Sequence, residues 1–574
     1  MQENAEGSDS RVGKPVLTER EVLLRNLHAL PASKIVNRIL EQKNPRKIVQ
    51  ELSSGDFFWL VKKVGEQDCL PLLELASVDQ WQYLLDLEIW KKDRLDMAHT
   101  WLWLKRLRQS DSKRLVRWLF GEGGAFAFYH FFKSIEVVVI DKDDEVYDLP
   151  EGFFSLDGIF HIRVIDSEHR ETIENILREM AKEDFNRYQA LLQGLAGVQP
   201  AEMEEAMYRL RNVRLAEHGF LPLEEAISVY APLDPDGLRP ERLRELPDIL
   251  AGEEIRAMVP VSPLYHTETE NVLTEAIFRI EDPLFLDRIR LEFAGLCNQI
   301  MSADGLLVPE LDVLIRTCRK AARYLNLAIE RLCGRDVSEA EQILRSHSFV
   351  KLFRVGFGLA LKLKWEAERW LKQSWFYGQG LHTEFWGEHW GRILAGILER
   401  RPQLYVGLQE EEEYRDFEWL SELGECLKVL RRLMVLDGLM ARLAESYPID
   451  EGVIQSSEVT FRRLLFNLWS RLLLKLEPCF SGLSVEQAKR FFELLREGSK
   501  RPPYQMAAFE ETFVKDFMSH ALDADPEAAS ILRDTLSLIW QEFSEEYEWV
   551  STRDLDRKYS KFISIMPSHE VAPP

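Results

Sequence analysis

A mainly α-helical protein is what this sequence predicts: an N-terminal superhelix of short helices, one small β-containing module and a large C-terminal helical region. Three observations lead there. Helix-capping signals recur every 10 to 12 residues between Pro31 and Leu87. A β-branched run and an Asp157-Gly158 turn interrupt the helical text after Gly121. No proline occurs between Pro309 and Pro402, and apolar residues there repeat at helical spacing.

Asn44 is an N-cap with Pro45 at N1, opening IVQEL. Ser53-Ser-Gly-Asp56 opens FFWLVKKV, which Gly65 closes as a C′ glycine. Glu66-Gln-Asp68 opens CLPLLELA, where Pro71 is tolerated because it falls in the first turn. Ser77-Val-Asp-Gln80 is a capping box opening WQYLLDL. Helices this short are marginal alone and gain stability by stacking apolar faces on their neighbours.

Beyond Gly121, Glu136–Asp141 (EVVVID) and Phe153–Val164 (FFSLDGIFHIRV) predict a small sheet packed on a helix beginning near Ser167. A two-residue type I′ turn at Asp157-Gly158 places Phe153, Phe160, Ile162 and Val164 on one face. Phe154, Leu156, Ile159 and His161 then take the other. Seven prolines between Pro222 and Pro263 mark a connector. Helical periodicity resumes with Leu311, Leu314, Ile315 and Cys318, then Phe349, Leu352 and Phe353. The last third carries a stripe at Phe417, Leu420, Leu427, Leu430 and Met434 between acidic faces. The expected division is a tail at 1–20, the superhelix at 21–120, an α+β module at 121–200 and a helix with the connector at 201–264. A helical domain at 265–403, an acidic helical domain at 404–566 and a tail at 567–574 follow.

The chain has 574 residues, 46% hydrophobic and 29% charged, with a net charge of −23. That composition excludes global disorder and disfavours non-specific attraction to nucleic acid or anionic lipid. No run approaches the ~18 apolar residues of a membrane span, so no membrane insertion is expected. The start, MQENAEGSDSRVGKP, lacks the apolar region of a signal peptide. Six cysteines with no CxxC predict buried thiols in a reducing cytoplasm.

The run of acid-capped, leucine-rich short helices from Pro31 to Leu119 resembles the cytosolic domains of bacterial magnesium channels and flagellar motor-switch proteins. Over a longer span, RLAEHGFLPLEEAISVYAPLDP (Arg214–Pro235) and FWGEHWGRILAGILERRP (Phe385–Pro402) resemble an uncharacterised bacterial domain-of-unknown-function family. That resemblance implies an architecture and carries no activity, cofactor or catalytic residue.

Three segments offer chemistry. VVVIDKDDEVYD runs an apolar strand into Asp141 and Asp143, which resembles the nucleophile and acid/base pair of the haloacid-dehalogenase phosphotransferases beside Mg²⁺. Glu145 stands where that family places a small Thr or Val, and a hairpin follows instead of βαβ units. As a calcium loop from Asp141 to Gly152, it has Val146 where the turn needs glycine. A solvated acidic turn is the favoured reading. The second segment, His382, Glu384, Glu388 and His389, could form a carboxylate and imidazole metal site on one helix. It matches no established ligand spacing, and Gly387 and Gly391 beside Trp386 and Trp390 favour close helix packing. His130 and His161 read as satisfied structural histidines. Cys297, Cys318 and Cys333 have no partner at zinc spacing and read as inert buried thiols.

The third segment is the most informative. Lys91 to Arg117 holds nine basic and three acidic residues, a local charge of +6 that leaves −29 for the rest of the chain. Trp90, Trp101, Trp103 and Trp118 are interleaved. Such a stretch can dock an acidic surface, grip phosphate beside stacked bases, or lay its stems over its own tryptophans. The remaining −29 disfavours nucleic acid. The expected protein is therefore a non-enzymatic, cytoplasmic, helical scaffold or regulator without cofactor. It would bind a protein partner through Lys105, Arg106, Arg108, Arg114, Arg117, Trp101 and Trp103. The alternative is a metal-dependent phosphotransferase or hydrolase using Asp141 and Asp143.

Overall fold

The computed structural model describes residues 19–91, 93–140, 149–196, 203–238, 264, 270–306, 310–407, 412–456, 458–496, 501–521, 525–555 and 560–566. The chain divides into two compact units, residues 1–356 and 357–574. It is mainly helical, with small antiparallel sheets.

The first unit opens with α1 (Glu19–Ala29), α2 (Ala32–Leu40), α3 (Pro45–Gln50), α4 (Ser54–Val64), α5 (Leu70–Leu75) and α6 (Val78–Glu88). Ser53 caps α4 by accepting from the Asp56 N–H and Gly65 ends it at φ 92°, whereas Asn44 stands before Pro45 without a side-chain cap bond and α5 starts from Cys69, not from Glu66-Gln-Asp68. Ser77 and Gln80 close the capping box. Buried Gln80 also donates its side-chain amide to the carbonyls of Val49 and Leu52, each at 2.8 Å, which ties α6 to the end of α3. The short helices are held by one another's apolar faces, since Phe57, Phe58, Leu72, Leu73 and Trp81 are all in the core.

A short hairpin, β1 (Trp90–Lys91) and β2 (Arg94–Leu95), leads into α7 (Met97–Phe120). The Asp96 side chain caps α7 by accepting from the His99 N–H, and Asp111 breaks the helix midway at φ −159° and ψ 91°. Then come α8 (Gly124–Ser134) and a three-stranded antiparallel sheet in the order β3 (Ile135–Val139), β5 (Phe160–Val164), β4 (Phe153–Ser155). Its hairpin differs from the expected one by a residue. Phe154 faces Ile162 and Phe153 faces Arg163, so Phe154, not Phe153, shares the Ile162 face. The turn is the cause: Asp157 Oδ1 accepts from the N–H groups of both Ile159 and Phe160 at 2.9 Å, which needs a longer loop than type I′ allows. Helices α9 (Arg170–Glu183), α10 (Phe185–Leu195) and α11 (Met203–Ala216) follow, and α9 lies against β5 and α7.

The family-like segment from Arg214 has a structural part. Arg214 grips the buried carboxylate of Asp86 with two hydrogen bonds of 2.6 Å. Gly219, at φ 85°, lies where a Cβ would strike the backbone of Gly295. Only glycine fits that approach. Helices Pro283–Asp304 and Leu311–Cys333 complete the core here and bring Cys297 and Cys318 within 3.7 Å, a thiol pairing that spacing did not reveal.

In the second unit, helices Phe461–Leu473 and Pro526–Tyr547 enclose a ring cluster of Phe466, Trp469, Trp540 and Phe543. The stripe on helix Leu420–Ser446 is rotated slightly from expectation. Cys426, Leu430 and Leu433 are buried, whereas Leu427 and Met434 are half-buried. Segment 382–389 is not one helix. A 3₁₀ turn, Thr383–Trp386, ends at Gly387 with φ 82°, and a new helix runs from Glu388 to Leu398. Among the described residues, no helix is long and apolar enough to cross a membrane.

Candidate interaction face and the charge network beneath it

Helix α7 sorts its residues by the side they occupy. Trp101 and Trp103 are fully buried, so they cannot meet a partner, and the expected tryptophan surface is a core. The other tryptophans of this stretch, Trp59, Trp81, Trp90 and Trp118, are buried too. Indole is large enough to fill the gaps between short helices, and its N–H finds partners inside: Trp118 donates to Gln82, and Trp81 to the Leu73 carbonyl.

The cations divide in the same way. Arg106 pairs with Glu66 at 3.0 Å and lies over the Trp103 ring at 4.8 Å. Arg108 reaches Glu179 of α9 at 3.5 Å. Arg114 donates to the carbonyls of Ala76 and Glu74 and covers Trp81. These three arginines hold α7 to its neighbours. Arg117 is different: its side chain is 68% exposed and its contact with Glu183 is a loose 3.6 Å. Lys105 and Lys113 are exposed and make no ion pair among the described residues. Leu102, 44% exposed, lies one turn before Lys105, whereas Lys113 follows the break at Asp111.

Beneath this face lies a network that the sequence reading missed. Lys62 of α4 donates to Glu88 Oε1 at 2.8 Å, and the Glu88 side chain is wholly buried. His99 Nε2 lies 3.5 Å from the other Glu88 oxygen. The Trp103 indole N–H donates to that same Nε2 at 3.1 Å. Glu88 holds the His99 imidazole above its usual range, against the opposing pull of burial. Burial pushes the Glu88 carboxyl up, but His99 and Lys62 outweigh it and leave it below its usual range. Burial raises the neighbouring Cys69 thiol to about 11, so it stays protonated.

Glu66, Glu88 and His99 bring potential ligand atoms within 4.8 Å of one another. Arg106 and Lys62 already neutralise the two carboxylates, so the cluster is closed by the chain's own cations. The sequence holds one clue to it. Asp86 and Glu88 stand inside the apolar run YLLDLEIW, and charged groups in such a run demand partners.

The remaining expected sites fare differently. Asp141 and Asp143 lie outside the described residues. His382, Glu384, Glu388 and His389 are all exposed, and the break at Gly387 parts Glu384 from the helix carrying Glu388 and His389. His130 is buried but not satisfied as expected. Neither ring nitrogen has a hydrogen-bond partner among the described residues, and burial lowers its pKa to about 3. It is held as a neutral ring, stacked on Phe126 and tilted against Trp101. His161 is half-buried on β5, opposite Val138 and Ser155. In the second unit an open cleft of about 660 Å³ is lined by glutamates and three cations. Those cations are spent on cleft carboxylates: Arg462 on Glu542, Arg463 on Glu458 and Lys561 on Glu546.

Fold and site together define a mainly helical protein whose charged chemistry is concentrated in ion-paired helix contacts. The chain belongs to the family described as "Family of unknown function (DUF6178)", whose model matches residues 16–566. No curated protein and no solved structure matches it, and none of these comparisons ties the N-terminal helices to magnesium channels or flagellar motor-switch proteins.

Proposed function

We propose that the protein is a non-enzymatic interaction module that docks an acidic partner protein on the exposed side of α7. The observation that carries this reading is the separation of the helix's cations. Arg106, Arg108 and Arg114 are consumed internally, whereas Lys105, Lys113 and Arg117 face solvent. A positive strip on a chain of net charge −23 is electrostatically out of place unless it meets negative charge. Exposed Leu102 would supply apolar contact beside Lys105. Six cysteines without a CxxC pattern fit a reducing compartment, the cytoplasm, as the place of work.

The test uses immobilised poly-L-glutamate as the acidic probe. Wild-type protein should be retained at low salt and released as salt rises, because the Debye length falls from ~10 Å at 0.1 M to ~3 Å at 1 M. The triple variant Lys105→Glu, Lys113→Glu, Arg117→Glu should pass through with an unchanged circular dichroism spectrum. Equal elution of the two proteins would remove the docking assignment. Salt-sensitive retention on immobilised DNA, lost in the variant, would replace it with a nucleic-acid reading.

A further inference from the structure

One nitrogen atom of the buried network is offered two hydrogen bonds that cannot coexist. His99 Nε2 faces the indole N–H of Trp103 at 3.1 Å, and an indole N–H only donates. That bond needs a bare lone pair on Nε2. The same atom faces Glu88 Oε2 at 3.5 Å, and a carboxylate only accepts. That bond needs a proton on Nε2. Nε2 carries a proton in the imidazolium and in one neutral tautomer, so the Trp103 bond forms only when deprotonation takes the proton from Nε2 and leaves the neutral ring protonated on Nδ1.

We propose that His99 is a proton-driven switch in the seat of α7, joined to Glu88 of α6 when protonated and to Trp103 of α7 when neutral. Three features of the surroundings support it. Among the charged groups nearest the ring, the proton brings the cations level with the anions. Lys62, Arg106 and protonated His99 face Glu66, Glu88 and Asp96, and loss of the proton leaves one negative charge in excess. Glu88 then keeps Lys62 alone as its counter-charge, and its side chain is fully buried, where little water screens it. Finally, the two alternatives lie on different elements. The protonated form bridges α6 to α7, whereas the neutral form closes a bond within α7, so the proton moves a contact between helices onto one helix.

The groups around His99 come from every side. Lys62 enters from α4, Glu66 and Cys69 from the α4–α5 connection, Glu88 from α6, and Asp96 and Arg106 from α7 itself. On the remaining side Glu204 of α11 accepts from the Leu95 N–H, just before the α7 cap. The charged groups of α9 pair with Arg108 and Arg117 farther along α7. Burial raises the Cys69 thiol to about 11 and keeps it protonated, whereas the Glu88 carboxylate beside His99 holds that imidazole above its usual range. A link from this switch to docking on α7 rests on the function proposed above. The switch itself does not, and the test reads it directly.

The experiment is an NMR titration of the full chain carrying ¹⁵N-labelled histidine and tryptophan, with His99 assigned by His99→Gln and Trp103 by Trp103→Phe. In the wild type the Trp103 indole N–H signal should move with the same midpoint as the His99 ring. That midpoint should lie above the ordinary ~6.5 of histidine. Glu88→Gln, which removes the acceptor charge but keeps the shape, should lower the His99 midpoint. Trp103→Phe, which removes the donor that favours the neutral ring, should raise it. Opposite movement is the signature, because a merely structural role would move both midpoints the same way or neither. Different midpoints for His99 and Trp103 in the wild type would overturn the switch, and that arm stands even if a variant fails to fold. Abolition of the His99 titration by micromolar Zn²⁺, with a raised Tm, would overturn it in favour of a metal site. If the switch titrates as stated while poly-L-glutamate retention fails, only the docking reading falls.

Discussion

Two tryptophan-rich regions, one in each unit, use the same residue type and hold it by different physics. Around α7, Trp81, Trp103 and Trp118 each donate a hydrogen bond, arginines lie on two of the rings, and buried charge meets buried charge. Around Trp370–Trp390 the rings chiefly hold each other, with one arginine, Arg462, over Trp390 at 5.4 Å and Phe461 at 4.8 Å. Trp386 packs on Phe376 and Phe461 at 5.2 and 5.5 Å, and Trp390 stacks on Phe461 at an interplanar angle of 13°. The buried carboxylate there, Asp437, is satisfied by neutral donors: the Trp370 indole and the backbone N–H groups of Trp375 and Phe376. Ion pairs respond to pH and to the loss of a partner, whereas ring packing responds to shape.

Glu88→Ala should destabilise the first region by about 3–5 kcal/mol, because it leaves Lys62 buried without a counter-charge. Urea unfolding measures it, and a loss below ~1 kcal/mol would mean that the charges do not hold that region. Gly391→Leu should cost about 1–3 kcal/mol or more. Even a Cβ there would meet the backbone carbonyl of Thr383, which cannot rotate aside as a side chain can. A stable Gly391→Leu would show the second region to be loosely fitted.

His99 is raised by Glu88, so its stabilising contribution is full below the ordinary histidine value of ~6.5 and is lost as pH climbs through the raised folded value. Glu88 is lowered, so its share is present above ~4.3 and fails only on acidification. Wild type should therefore exceed His99→Gln by about 1 kcal/mol near pH 6 and lose that advantage by pH 9. Melting curves across that range decide it, since a constant difference would assign His99 to packing alone. The smallest effect belongs to the surface. The triple reversal of Lys105, Lys113 and Arg117 should change stability by less than ~0.5 kcal/mol, and a drop in Tm matching that of Glu88→Ala would mean these cations are structural.

Much of the α7 region was legible because its signals are local. Ser53, Gly65 and the Ser77–Gln80 box act on backbone groups within four residues, and all three appear as read. The hairpin register was misread by one residue because Asp157 accepts two backbone N–H groups, an arrangement that Asp-Gly alone does not announce. The exposed lysines and the anchoring arginines of α7 look alike in sequence. Which of them was free depended on Glu66, Glu179 and the carbonyls of Glu74 and Ala76, brought to α7 by other elements.

By itself, then, the sequence determined the helical class, the caps at Ser53 and Ser77, the small sheet and the presence of an anomalous basic stretch. Each follows from periodicity or from hydrogen bonds that span a few residues. Tertiary structure alone decided that the tryptophans face inward, that segment 382–389 breaks at Gly387, and that Lys62, Glu88, His99 and Trp103 converge. The physical reason is that burial and charge pairing act through space. Lys62 and Glu88 stand 26 positions apart, and only the packing of α4 on α6 makes them neighbours.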